Sequence, residues 1–119
     1  MLAQPAFAQS GEDYVVRFTG FLGDLRFPAE QLRAQLVAQD DDLARVAVAL
    51  NEDATGAFTM FTRTHVNNTI TMYICGQQVA TATVMAPVET GFSQSEPIDA
   101  EVAAQMVDAL NGLGTCPEE

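Results

Sequence analysis

Residues Thr69–Val88 read TITMYICGQQVATATVMAPV. In the first arm Ile70, Met72 and Ile74 fall on one side, and Thr69, Thr71, Tyr73 and Cys75 on the other. In the second arm Ala80, Ala82, Val84 and Ala86 share a face, opposite Val79, Thr81, Thr83 and Met85. A period of two marks a half-buried strand. Between the arms, Cys75-Gly76-Gln77 offers a glycine able to take the positive φ of a tight connection. The stretch predicts a β-hairpin, and the rest of the chain supplies elements to cover one of its faces.

Upstream of the hairpin, Asn67-Asn68 reads as a turn, preceded by a helix over about 54–66. That helix places Ala54, Ala57, Phe58, Phe61 and His65 along one side, with Asp53 or Thr55 as its cap. Arg45–Leu50 alternates Val46, Val48 and Leu50 against small Ala47 and Ala49, a clear strand. Pro28 suits the first turn of a helix running to about Ala38, with Leu32 and Leu36 on one stripe. Tyr14–Phe18 is rich in strand formers, and Asp24–Phe27 reads as its return after Gly20 and Gly23.

Downstream, Pro87 ends the second arm or confines it to an edge. Glu89–Pro97 is polar but holds Phe92, so it reads as a loop or short irregular strand. Asp99 caps a last helix to about Asn111, with Val102, Met106, Ala109, Leu110 and Leu113 facing inward and Gly112 and Gly114 stopping it. The expected fold is α+β, a mainly antiparallel sheet with two or three helices packed on one face.

A chain of 119 residues, 48% hydrophobic, is sized for one domain. Such a length hides roughly 65% of the unfolded surface, enough for a core without metals. The net charge is −11, and all five basic residues are arginines. That surface repels nucleic-acid phosphates and anionic lipid, so neither is expected as a partner; the plainer reading is that acidity serves solubility. No apolar run approaches the roughly 20 residues of a membrane helix, so no membrane span is expected.

Ala6-Phe7-Ala8, followed by Gln9-Ser10, has the small-x-small pattern at the end of a secretory signal peptide. The charged and long apolar parts that should precede it are missing, and a chance alanine-rich tail is the alternative. Residues 1–12 are set apart as a signal-peptide remnant and disordered start, leaving 13–119 as one domain. Cys75 and Cys116 are the two cysteines, with no C-x-x-C and too few ligands for zinc. In an oxidising compartment they can pair across 41 residues for roughly 3–4 kcal/mol; otherwise they are unrelated thiols.

Asp40-Asp41-Asp42 could ligate calcium, but no glycine turn or downstream glutamate completes an EF-hand, and a solvated turn is the stronger reading. The one histidine, His65, sits near a helix end, where a charged ring meets the favourable pole of the dipole. Catalysis would need a nucleophile and an orienting acid beside it, and the spacing supplies neither. No paired carboxylates, metal cluster or phosphate loop is present, so the chain is expected not to be an enzyme and to need no cofactor.

Residues 46–117 resemble the head subdomain of the large periplasmic domain in SecD and SecDF protein-export subunits. The shared run is Val46–Leu50, then Asp53, Gly56-Ala57, Phe61 and Thr62. It continues through Ile70–Ile74, Cys75-Gly76, Val79–Val88 with Pro87, and Gly91. Asp99–Leu110 and Gly114–Pro117 match the acidic, alanine-rich helix and the Gly-x-x-Pro that follows. The likeness covers about 70 residues and extends more loosely back to Phe27–Asp42. It departs at Cys75, where the family has aspartate, and at Ala82, where a proline is common.

The resemblance implies a periplasmic or secreted bacterial protein and a head that engages emerging polypeptide; without membrane helices the chain is not expected to drive translocation alone. The first reading is a non-catalytic module that binds a polypeptide or envelope protein through a sheet edge or a groove beside Phe92, with Tyr73, Met85 and Phe92 as the candidate surface. The alternative is a self-associating envelope protein, a homodimer through that edge, sharing only the fold.

Overall fold

A computed structural model describes residues 14–117. The proposed leader remnant lies outside those residues. Ten elements follow one another: β1 (Val16–Gly20), β2 (Gly23–Phe27), β3 (Leu32–Ala38), β4 (Leu43–Leu50), α1 (Glu52–Thr64), β5 (Thr69–Ile74), β6 (Gln77–Thr83), β7 (Phe92–Gln94), β8 (Ile98–Asp99) and α2 (Ala100–Leu110). The α+β expectation holds, with the strands divided between two antiparallel sheets instead of one. The first has the order β2-β1-β5-β6; the second has β3-β4-β7, with β8 also pairing β4.

The hairpin is β5–β6, turning on Cys75 and Gly76, both at positive φ (54° and 80°). Two consecutive left-handed residues make a two-residue connection whose twist matches that of its strands. Pairing runs Thr69↔Thr83 to Met72↔Ala80 and then slips to Tyr73↔Gln78, leaving Val79 as the extra residue of a bulge. The slip turns Val79 inward beside Ala80, which strict alternation in the sequence had put on opposite faces.

Beyond the tip, Cys75 bonds to Cys116 with Cα atoms 5.6 Å apart, tying the hairpin to the tail that follows α2. The Asp40–Asp42 stretch is the expected turn: Asp40 Oδ1 accepts from Asp42 N and Leu43 N at 2.9 Å.

The core is one contiguous cluster. Val16, Phe18, Phe27, Met72 and Ile74 form its first-sheet side and Leu32, Ala44, Val46 and Val48 its second-sheet side. Phe58 of α1 packs on Phe18 with ring centroids 4.6 Å apart, and α2 lays Ala103, Met106 and Leu110 over β3 and β4. Losing a buried aromatic such as Phe58 costs about 3–5 kcal/mol, so these contacts carry a large share of a marginal total.

Three further expectations are corrected. The helix from Pro28 to Ala38 is one 3-10 turn, Ala29–Gln31, followed by β3. Leu32 and Leu36 are four apart, a spacing that satisfies a strand's period of two as well as a helix. The residue before the turn, Pro28, has no side chain to cap it, and β4 requires a partner along seven residues. Tertiary pairing therefore outweighs local propensity.

The cap of α1 is Asn51, whose Oδ1 accepts from Ala54 N at 2.9 Å, not Asp53 or Thr55. Asp99 caps α2 as expected, but Leu113 is 77% exposed, not inward. Gly112 (φ 78°) reverses the chain there, with Gly112 N on Ala109 O and Leu113 N on Asp108 O, a Schellman ending that carries Leu113 off the helix axis.

Candidate functional site

Antiparallel pairing leaves alternate residues of an edge strand with N–H and C=O pointing outward. At β6 these are Thr81 and Thr83: Val84 N bonds Asn68 O, so by alternation Ala82 and Ala80 turn their backbone groups to β5, and Thr81 N points away to Glu96. At β7 the outward residues are Phe92 and Gln94, because Gly91 O and Ser95 N are used by β4. The two edges come from different sheets and face each other. They are joined at one end only, where Glu96 N bonds Val79 O at 2.9 Å and Glu96 Oε2 accepts from Thr81 N at 3.2 Å. Toward Thr83 and Phe92 they stand apart.

That gap is a notch of about 110 Å³. Its floor is Phe18, Phe58, Ile70 and Met72, and its walls are Ala80 and Ala82 on β6 and Ser93 and Gln94 on β7. Small-molecule sites run about 300–1,000 Å³, so the notch holds one side chain and not a cofactor. Ser93 pairs with Val48 and shares its inward face, and its buried Oγ has no hydrogen-bond partner. A buried orphan hydroxyl costs about 1–3 kcal/mol.

The β3 edge is covered at its middle. Asn111 pairs with Ala34 like an added strand residue, Oδ1 accepting from Ala34 N and Nδ2 donating to Ala34 O, both at 2.9 Å. On the first sheet Arg17 and Arg26 converge on Asp24 at 3.1 and 3.0 Å, placing an ion cluster beside β2. Partial burial would raise the Asp24 carboxyl, but hydrogen bonds from Arg26 and Arg17 and their charges outweigh it and hold the group below its ordinary value.

The three residues singled out in the sequence sit apart in the fold. Tyr73 is half-buried on the outer face of the first sheet, under the Arg17 guanidinium 5.5 Å from its ring centre. Met85 is 76% exposed just past β6. Phe92 is 49% exposed on β7 and lines an open groove of about 400 Å³ with Arg33, Gln35, Ala47 and Ala49, which neither Tyr73 nor Met85 joins. The notch was missed. Its signal was the alanine face of the second arm, Ala80 and Ala82, set against the larger Ile70 and Met72 of the first.

His65 is spoken for by structure. It is 1% exposed; Nδ1 donates to Phe61 O at 2.8 Å and Nε2 accepts from Leu22 N at 3.2 Å, the pattern of a neutral imidazole. The ring stacks on Phe61 with centroids 4.3 Å apart, and Gly20 passes so close that a Cβ there would collide with it. The histidine pins the β1–β2 turn to the end of α1. Among the described residues no three potential metal ligands gather, and no helix is long and apolar enough to cross a membrane.

No family model matches this chain, and no curated protein matches it. Solved structures do. The fold matches SecDF, described as a membrane component that enhances protein export, with a TM-score of 0.66 and 12% identity over 97% of this chain and 73% of that one. It also matches SecDF in a super-membrane-facing form, with a TM-score of 0.62 and 13% identity over 94% of this chain and 15% of that one. At such identity the likeness is one of fold. It bears out the SecD resemblance and extends it from residues 46–117 to nearly the whole chain.

Proposed function

We propose, from a fold shared with SecDF, that this chain is a non-catalytic, extracytoplasmic polypeptide-binding module acting in protein export or envelope folding. The observation that carries the reading is the match over 97% of the chain to a protein that enhances protein export. Fold alone does not license function; the open β6 and β7 edges add a surface suited to unfolded chain. Extended polypeptides bind sheet edges through main-chain hydrogen bonds, with pockets reading alternate side chains. The disulfide fits an oxidising compartment such as a periplasm. The acidic surface argues against nucleic acid as the partner.

A titration of the full chain against a permanently unfolded polypeptide and its folded counterpart tests the reading. Preferential binding of the unfolded form, at about micromolar Kd or tighter, is expected. Equal binding of both, or of neither, would overturn it. A mass that rises with concentration, with no polypeptide binding, would favour the self-associating alternative.

A further inference from the structure

We propose that the β6–β7 notch is where an extended, cationic polypeptide segment docks, anchoring one aliphatic side chain in it while its backbone pairs with Thr83. This inference rests on the polypeptide-binding reading above and specifies its site and ligand chemistry.

Three independent features converge. The first is the unpaired backbone: Thr83 offers N–H and C=O and Thr81 its C=O on one side, with Phe92 and Gln94 facing them from β7. An edge with unsatisfied groups is a template for an added strand. The opening spans only Thr81–Thr83, so about three to four residues at ~3.3 Å each suffice. The second is the apolar floor. Phe18, Phe58, Ile70 and Met72 are flanked on the β6 side by the small Ala80 and Ala82 and on the β7 side by Ser93 and Gln94, which leaves room for one leucine- or valine-sized side chain. Phe18, Phe58 and Met72 are already buried, so the gain lies in removing the entering side chain itself, and the partly exposed Ile70, from water.

The third feature is charge. The chain carries 16 acidic and 5 basic residues. Four of the five arginines are engaged elsewhere, Arg17 and Arg26 by Asp24, Arg45 by Gln39 and the Ser95 carbonyl, and Arg63 on Met60; the fifth, Arg33, lines the groove beside Phe92 and not the notch. Glu96 stands at the closed end of the notch, one oxygen on Thr81 N. A cationic segment is drawn to this field, and an acidic one is repelled.

The test uses fluorescein-labelled short peptides of alternating lysine and threonine around a central leucine, measured by anisotropy on the full chain. Ala82→Leu fills the notch and should weaken binding about tenfold or more. Thr83→Pro removes only an outward N–H, which an edge strand tolerates, and should weaken it about two- to twelvefold. Replacing the central leucine by alanine, or the lysines by glutamates, should lose about as much as Ala82→Leu. A peptide N-methylated at alternate residues probes the backbone pairing without altering the protein, and it should not bind.

If the wild-type chain binds the peptide and Ala82→Leu, unfolding at an unchanged temperature, binds it equally well, the notch is not the site and polypeptide binding stands. Glutamate peptides binding as well as lysine ones would overturn the cationic preference. Failure of the wild-type chain to bind both the peptides and the unfolded polypeptide would overturn both proposals.

Discussion

Removing the Cys75–Cys116 bridge should cost this protein a large part of its stability. The bridge closes a loop across 41 residues, holding β6, β7, β8 and α2 within one ring. Chain entropy for such a loop amounts to about 13 cal/mol/K, or about 4 kcal/mol at 25 °C, against a total of about 5–15 kcal/mol. Cys75 also sits at φ 54°, where a residue with a Cβ is strained by about 1–2 kcal/mol. Asparagine tolerates that conformation, and Asn-Gly is the favoured two-residue hairpin pair.

Two double variants separate the effects. Cys75→Ala with Cys116→Ser loses the bridge and keeps the strain. Cys75→Asn with Cys116→Ser loses the bridge and relaxes the turn. Urea unfolding followed by circular dichroism should place the alanine variant about 4 kcal/mol below the oxidised wild type and the asparagine variant about 1 kcal/mol above its sister. The alanine variant should melt about 15 °C lower, at about 4 °C per kcal/mol for a domain near this size. Wild type under reductant should match it. Both variants lying within about 0.5 kcal/mol of the oxidised protein, the range of an ordinary surface change, would refute the loop argument.

His65→Ala leaves Phe61 O and Leu22 N without their buried partner and opens a cavity against Phe61; thermal unfolding should report a loss of about 2–4 kcal/mol, with His65→Gln recovering part of it. Asn111→Ala uncovers the β3 edge at Ala34 and should cost about 1–2 kcal/mol while promoting edge-to-edge association, visible as a concentration-dependent sedimentation coefficient. Asp24 has its folded-state value lowered by Arg26 and Arg17 against partial burial, so its contribution is present above about pH 4 and fades as pH falls through the lower folded value. Solvent screens these half-exposed pairs, so Asp24→Asn should cost only about 0.2–1 kcal/mol near neutral pH. That difference from wild type should vanish in strong acid.

The hairpin, the strand at β4 and both helices could be read from residue order, because each carries a clean period and a local stop signal. Gly76 and Gly112 mark reversals that few other residues make, and Asp99 is a cap with an apolar stripe behind it. The Leu32–Ala38 segment could not be read so, since its two leucines fit both periods and only the needs of β4 decide between them. The division into two sheets was equally hidden: strand order depends on pairings between residues far apart, such as Val16 with Ile74. For the same reason Phe92 was seen as an exposed aromatic, whereas the notch was not. It is made by Ala82 and Ser93, small residues whose meaning lies in what stands across from them.

An amide-resolved NMR titration of the protein with a permanently unfolded polypeptide would locate the docking edge. Shifts and slowed hydrogen exchange are expected at Thr83 and Gln94, with Phe58 and Ile70 side-chain signals moving and the β3 edge near Ala34 undisturbed. Shifts confined to the Ala34 edge or to the outer face around Tyr73, or a titration that moves nothing, would contradict docking between β6 and β7.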